Sequence, residues 1–137
     1  MGLILDSSVL IAGERRNESV RDILERVRAN LGETETALSV VSVVELSHGI
    51  YRAKTSADRQ RREAFVEELL NSLVVCPITM EVAQLAGSIE GQQATQGISI
   101  AFADLLIGVT ALHLAYSVAT LNVRHFKLIP GLSVVEI

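Results

Sequence analysis

Tryptophan is absent from the 137 residues, aromatic side chains make up only 4% of them, and there are two prolines and one cysteine. A lone thiol closes no internal disulfide, so the fold must rest on burial, and the composition suits a reducing cytosol. Cys76 sits in the apolar run LVVCPI, where an inert buried thiol is expected. So little proline, beside 49% hydrophobic residues, excludes a disordered chain. The opening MGLILDSSVL lacks the basic region and long apolar stretch of an export signal. A membrane-spanning run is missing too. The apolar segment from Leu105 to Leu121 begins beside Asp104, contains His113, and divides into a helix and a strand, neither long enough to cross a bilayer. Net positive charge is also lacking, since the formal balance is −4, so no global field draws in nucleic acid. Neither GxGxxG nor GxxxxGK[ST] occurs, which argues against a nucleotide-binding turn.

What is present is an alternation of strands and helices in a length that suits one domain over residues 1–137. LILD reads as a strand ending at Asp6, and SSVLIAGE as a short helix that Ser7 or Ser8 can cap. Residues 19–30 form an amphipathic helix, TALSVV (36–41) a buried strand, and VVELSHGIYRA a helix. A longer helix over 57–73 places Phe65, Leu69 and Leu70 on one face. SLVVCPI is the third strand, Thr79 caps the next helix, and residues 91–97 form a polar loop. IAFADLLIGVTALHLA is a buried helix, SVATL the fourth strand and LSVVEI the last. Strands separated by helices imply an α/β fold with a parallel sheet covered on both faces.

This order puts three acids at one edge. Asp6 follows the first strand, Glu45 belongs to the helix after the second, and Asp104 opens the buried helix before the fourth. Open α/β sheets bind their ligands at the carboxyl ends of the strands. Each acid also has a structural explanation: Asp6 and Asp104 as helix caps, and Glu45 as the partner of Ser42 in a capping box. Asp104 shares a stripe of small residues with Gly108, Ala111 and Ala115, suited to close packing on the sheet. Converging carboxylates would repel one another unless a cation shared the site. Mg²⁺ or Mn²⁺ meets that need, because hard cations prefer oxygen ligands and support hydrolysis of phosphodiesters. Basic residues cluster at 15–28 and 54–62, either as solvated helix faces or as contacts to a phosphate backbone. His48, His113 and His125 are not at metal-ligand spacing. A core or interface role is expected for His113, and His125 could meet RNA phosphate. A phosphoaspartate enzyme is disfavoured because Ser8 stands where its second acid would be.

LDSSVLIA with Asp6, SVVELSHGI with Glu45, FADLLIGVTAL with Asp104 and ATLNVRHFKLIPGL resemble the successive motifs of the PIN-domain ribonucleases, and more narrowly the VapC toxins of toxin–antitoxin pairs. The resemblance spans essentially the whole chain. It implies a PIN-like five-stranded parallel sheet sandwiched between helices and an Mg²⁺- or Mn²⁺-dependent endoribonuclease acting on structured RNA such as tRNA or rRNA. It also implies a cytoplasmic homodimer and a small VapB-type antitoxin whose C-terminal segment occupies the active-site groove. Carried over by position, Asp6, Glu45 and Asp104 match the catalytic, metal-binding acids. Ser8 matches a polar site residue two positions after the first acid and Thr120 stands where the fourth motif begins, while Arg124, like His125, lies near the proposed site and could contact substrate phosphate. The chain departs from the pattern at Asn122, where many members carry a fourth acid. Asn122 offers a carbonyl oxygen but no charge, so one tightly held ion and a weak second one are expected. A catalytically silent PIN-fold module that binds RNA or a protein partner is the alternative.

Overall fold

The structure, a computed structural model, describes residues 2–137. Its strands β1 (Gly2–Leu5), β2 (Glu35–Ser39), β3 (Val74–Cys76), β4 (Ser117–Thr120) and β5 (Val134–Glu136) form one sheet in the order β3-β2-β1-β4-β5. Every neighbouring pair is parallel. The helices are α1 (Ser7–Arg15), α2 (Val20–Leu31), α3 (Val40–Tyr51), α4 (Ser56–Ser72), α5 (Met80–Ala94), α6 (Phe102–Leu114) and α7 (Val123–Phe126). The architecture is the expected five-stranded PIN-like α/β sandwich.

Parallel strands need crossover helices, and these cover both faces with apolar side chains. One core gathers Val9, Leu10, Ile23, Leu46 and Leu69 from α1 to α4 against Leu3, Leu5 and Leu38 of the sheet. The other gathers Val82, Ala86, Ile107, Val109 and Phe126 against Ile4 and Val118. Residues along β1 therefore alternate between the two cores, as the two-residue strand period requires. The order places β2 and β3 on one side of β1 and β4 and β5 on the other. The chain thus changes direction between β1 and β4, and a crevice opens at their carboxyl ends. Asp6 leaves β1 there and donates its backbone N–H to Ala119 O at 2.9 Å.

Several local expectations need correction. Val40 and Val41 begin α3 and do not extend β2, because Ser39 caps the helix by accepting the Val41 N–H at 3.1 Å. Propensity favoured strand for these β-branched residues, and the cap overrode it. Residues 91–94 continue α5, so the polar loop is shorter than expected; the buried Gln93 anchors this last turn by donating Nε2 to Leu128 O at 2.7 Å. Leu70 is exposed, and Val66 joins Leu69 on the buried face of α4. His113 is exposed in the last turn of α6 and holds no core position. The stripe on α6 does permit close packing, but a Cβ on Gly108 would strike Ile129 and crowd Phe126 and Leu132, so that contact faces the chain after β4. Ala115 lies beyond the helix in the left-handed region, φ 57°. Cys76 is only partly buried, and its thiol is held above the usual range by desolvation, with the Glu35 charge adding to it. Among the described residues no helix is long and apolar enough to cross a membrane.

Candidate active site

The structure removes the helix-capping explanation from each of the acids. Asp6 occupies the N-cap of α1, yet its side chain makes no capping bond. Ala101, not Asp104, is the N-cap of α6, and no side chain caps that helix. Glu45 lies in the second turn of α3, whose cap is Ser39; the Ser42–Glu45 box does not form, and Ser42 Oγ is buried without a partner. Nor do Ser7 and Ser8 cap α1. Their hydroxyls turn instead to the acids.

Ser8 Oγ donates to Asp6 Oδ2 at 2.7 Å, and Thr120 Oγ1 donates to the same oxygen at 2.8 Å. The donor assignment follows from the remaining bonds. Leu121 N–H donates to Ser8 Oγ at 3.1 Å and Asn122 N–H to Thr120 Oγ1 at 2.9 Å. Each hydroxyl has one proton. With both protons spent on Asp6 Oδ2, the 3.3 Å approach of Ser8 Oγ to Thr120 Oγ1 is a contact between acceptors. The turn after β4 thereby fixes the carboxylate after β1. Ser7 Oγ donates to Glu45 Oε1 at 3.0 Å, tying α1 to α3. His125 Nδ1 stands 3.3 Å from Asp104 Oδ2, tying α7 to α6. Each carboxylate thus has one oxygen engaged by the protein. Asp6 Oδ1, Glu45 Oε2 and Asp104 Oδ1 accept no such bond among the described residues.

The acids feel one another. Desolvation raises the Glu45 carboxyl above its ordinary range; the Ser7 hydrogen bond opposes this, and the charges of Asp6 and Asp104 add to it. Asp104 is also raised, first by desolvation and then by Asp6, with His125 opposing. The side chains nevertheless stand too far apart to form a group of three or more that could hold a metal ion among the described residues. The donor set itself fits a hard divalent cation: carboxylates in mutual repulsion, each with an uncommitted oxygen.

A pH dependence follows from these shifts. A carboxyl raised in the folded state binds its proton more tightly there than in the unfolded chain, so stability falls as pH rises through its window. Glu45 and Asp104 act this way just above the ordinary carboxylate range. Glu18 and Asp22 are lowered. Glu18 is held down by Arg16 and Arg26 against desolvation, and Asp22 by the Ser19 backbone and side chain. They add stability as pH rises below that range. Metal-free protein should therefore be most stable near the ordinary carboxylate values and lose stability toward neutrality. Urea unfolding across pH should show this decline, with Glu45→Gln flattening it; an identical slope in wild type and variant would contradict the coupling.

Of the other positions singled out by sequence, Ser8 and Thr120 reach Asp6, whereas Asn122 and Arg124 do not reach the acids through their side chains. Asn122 is exposed and contributes its backbone N–H to Thr120. Arg124 is exposed on a shallow depression with Leu121, Asn122, His125 and Glu136. Sequence reasoning missed Ser7 as the partner of Glu45, 38 positions away, and missed the pairing of His125 with Asp104. Neither leaves a local spacing signal, because both depend on which helices the sheet order brings together.

A parallel α/β sandwich with acids grouped at its β1/β4 switch point is the arrangement of the PIN domain, and the profile of that family, described as PIN domain, matches residues 3–132. The chain belongs to the VapC ribonucleases within it. It is 32% identical to Ribonuclease VapC1 of Rickettsia felis over 137 residues, covering 100% of this chain and 97% of that one. It is 30% identical over 109 residues, 80% of each chain, to the tRNA(fMet)-specific endonuclease VapC of Salmonella typhimurium. The crystal structure of VapBC2 from Rickettsia felis bound to a DNA fragment from their promoter contains a chain that superposes with a TM-score of 0.83 at 20% identity, covering 100% of this chain and 99% of that one. At that identity the likeness concerns the fold alone.

Proposed function

We propose that the protein is an Mg²⁺- or Mn²⁺-dependent endoribonuclease that cleaves structured RNA, tRNA or rRNA, as the toxin of a toxin–antitoxin pair. The observation that carries this reading is the state of Asp6, Glu45 and Asp104: none caps a helix, and each has one oxygen tied and one free. The ion would be held by the free oxygens of these acids, and when bound it would activate water and stabilise the oxygens of an in-line phosphodiester displacement. Ser8 and Thr120 hold Asp6 in one orientation, so in this reading they position that acid beside the substrate. Ser7 does the same for Glu45, and His125 for Asp104. Asn122 supplies no charge, so one tightly held ion suffices for the reading.

The Salmonella relative's name supports tRNA as the first substrate class to test. Membership of the VapC ribonucleases, together with the VapBC complex in which the structural neighbour sits, makes a VapB-type antitoxin the first partner to test. Exposed Val44, Met80 and Phe102 on α3, α5 and α6 offer apolar surface for a homodimer, and the cytoplasm is the compartment where such a pair would act. Mapping of RNA ends after incubating total cellular RNA with the purified chain tests the reading. Discrete new ends in structured RNA with Mg²⁺, and none with chelator, are expected. Intact RNA under both conditions would leave the catalytically silent module as the better description.

A further inference from the structure

A cavity of about 280 Å³ lies between α1, α3 and α4 and includes Glu45 in its wall. Arg15, Arg52, Arg62, His48 and Glu14 also line it. These cations differ from the arginines on and beside α2. On and beside α2, Arg16 and Arg26 pair with Glu18, Arg21 with Glu25, and Arg28 with Glu33. Those charges are neutralised within their own surface. Arg15 and Arg52 have no carboxylate partner among the described residues, and Arg62 spends one N–H on the Gly49 carbonyl at 2.7 Å. Glu14 is the one acid besides Glu45 in the wall; Arg61 stands 3.6 Å from its Oε1, an oxygen that is buried without a hydrogen bond among the described residues.

Arg62 is further held in place by its bond to the Gly49 carbonyl near the end of α3, which also accepts the Arg52 N–H at 3.2 Å. A guanidinium fixed through one N–H still presents other donors in a planar fork matched to phosphate oxygens. Arg52 caps the end of the same helix and Arg15 closes α1, so arginines from α1, the end of α3 and α4 line one cavity. Resting on the ribonuclease reading above, we propose that this cavity is a phosphate subsite. It holds an RNA backbone phosphate beside the scissile one through Arg15, Arg52 and Arg62, and so leads the strand to Glu45. The basic residues of α2 have no such role.

The test uses full-length protein in chelator, where no metal-dependent cleavage occurs, and labelled bulk tRNA as the probe. Binding is measured over a series of salt concentrations for wild type, for Arg15→Gln with Arg52→Gln, and for Arg21→Gln with Arg28→Gln. All four arginines are exposed, and melting curves check that each variant folds. Arg15 and Arg52 serve the same phosphate, so losing both should reduce the steepness of log K against log salt by about 0.7–0.9, the contribution of one phosphate. The α2 variant should keep the wild-type slope. Equal slopes for wild type and the Arg15/Arg52 variant, or an equal loss in the α2 variant, would overturn the subsite. Weaker capture of a co-expressed antitoxin with an unchanged RNA slope would also overturn it, assigning the cavity to the protein partner. If wild type cleaves RNA while the slopes are equal, the ribonuclease reading stands and the subsite falls. If the slope drops as expected but no cleavage occurs with metal, the subsite stands and the reading falls. If wild type neither binds nor cleaves, both fall.

Discussion

Asp104→Asn should abolish RNA cleavage while leaving the protein folded. The change removes one negative charge and keeps nearly the same shape, and Asp104 makes no helix-capping bond whose loss would unravel α6. Its protein contact is His125, and that residue is exposed, so weakening the pair has little to cost the fold. Stability in the metal-free state should rise slightly, because the desolvated carboxyl and its repulsion with Asp6 are both removed. Activity should fall by more than the roughly 10–100-fold typical of losing an outer-shell partner of a metal site. Circular dichroism and cleavage rates separate the possibilities. Lost helicity would return Asp104 to a structural role, and a folded variant cleaving at the wild-type rate would remove it from the chemistry.

Adding Mg²⁺ or Mn²⁺ to chelator-stripped protein should raise its melting temperature strongly. An ion that binds only the folded state stabilises it by about 2.7 kcal/mol at a hundredfold excess over Kd. For a chain of this length each kcal/mol shifts the midpoint by roughly 3 to 5 °C, so a rise on the order of 10 °C is expected. The ion should also relieve the repulsion that holds Glu45 above its ordinary range. The shift should grow as pH rises through the raised window of Glu45 and Asp104, where protons on those carboxyls compete with the ion. It should shrink sharply in Asp104→Asn. A midpoint unmoved by millimolar metal would favour the silent-module alternative.

The sheet and its flanking helices were legible because the hydrophobic pattern switches period between strand and helix, and tertiary packing agrees with it throughout the core. Boundaries were less legible where a single hydrogen bond decides them. Val40 and Val41 look like strand until Ser39 is seen to cap α3, and Gln93 extends α5 through a bond to Leu128, 35 positions away. At the site, the acids stood out as charges without an apolar reason to be there, Asp104 most of all. Their supports did not. Ser7 and Ser8 read as caps from local spacing, whereas the fold directs them to Glu45 and Asp6 across helices and strands far apart in the chain. The division among the arginines was legible only in part: Arg21 and Glu25 stand four apart on α2, but which cations are brought together to line a cavity is settled only when α1, α3 and α4 pack together.

The most direct measurement is single-turnover cleavage of a tRNA by chelator-stripped protein as Mn²⁺ is added, with the melting temperature followed over the same titration. Cleavage should start from no detectable rate and saturate over the concentration range in which the melting temperature rises, because one ion held by Asp6, Glu45 and Asp104 serves both effects. Full-rate cleavage in the presence of chelator, or cleavage that saturates in Asp104→Asn over the same range as in wild type, would contradict it.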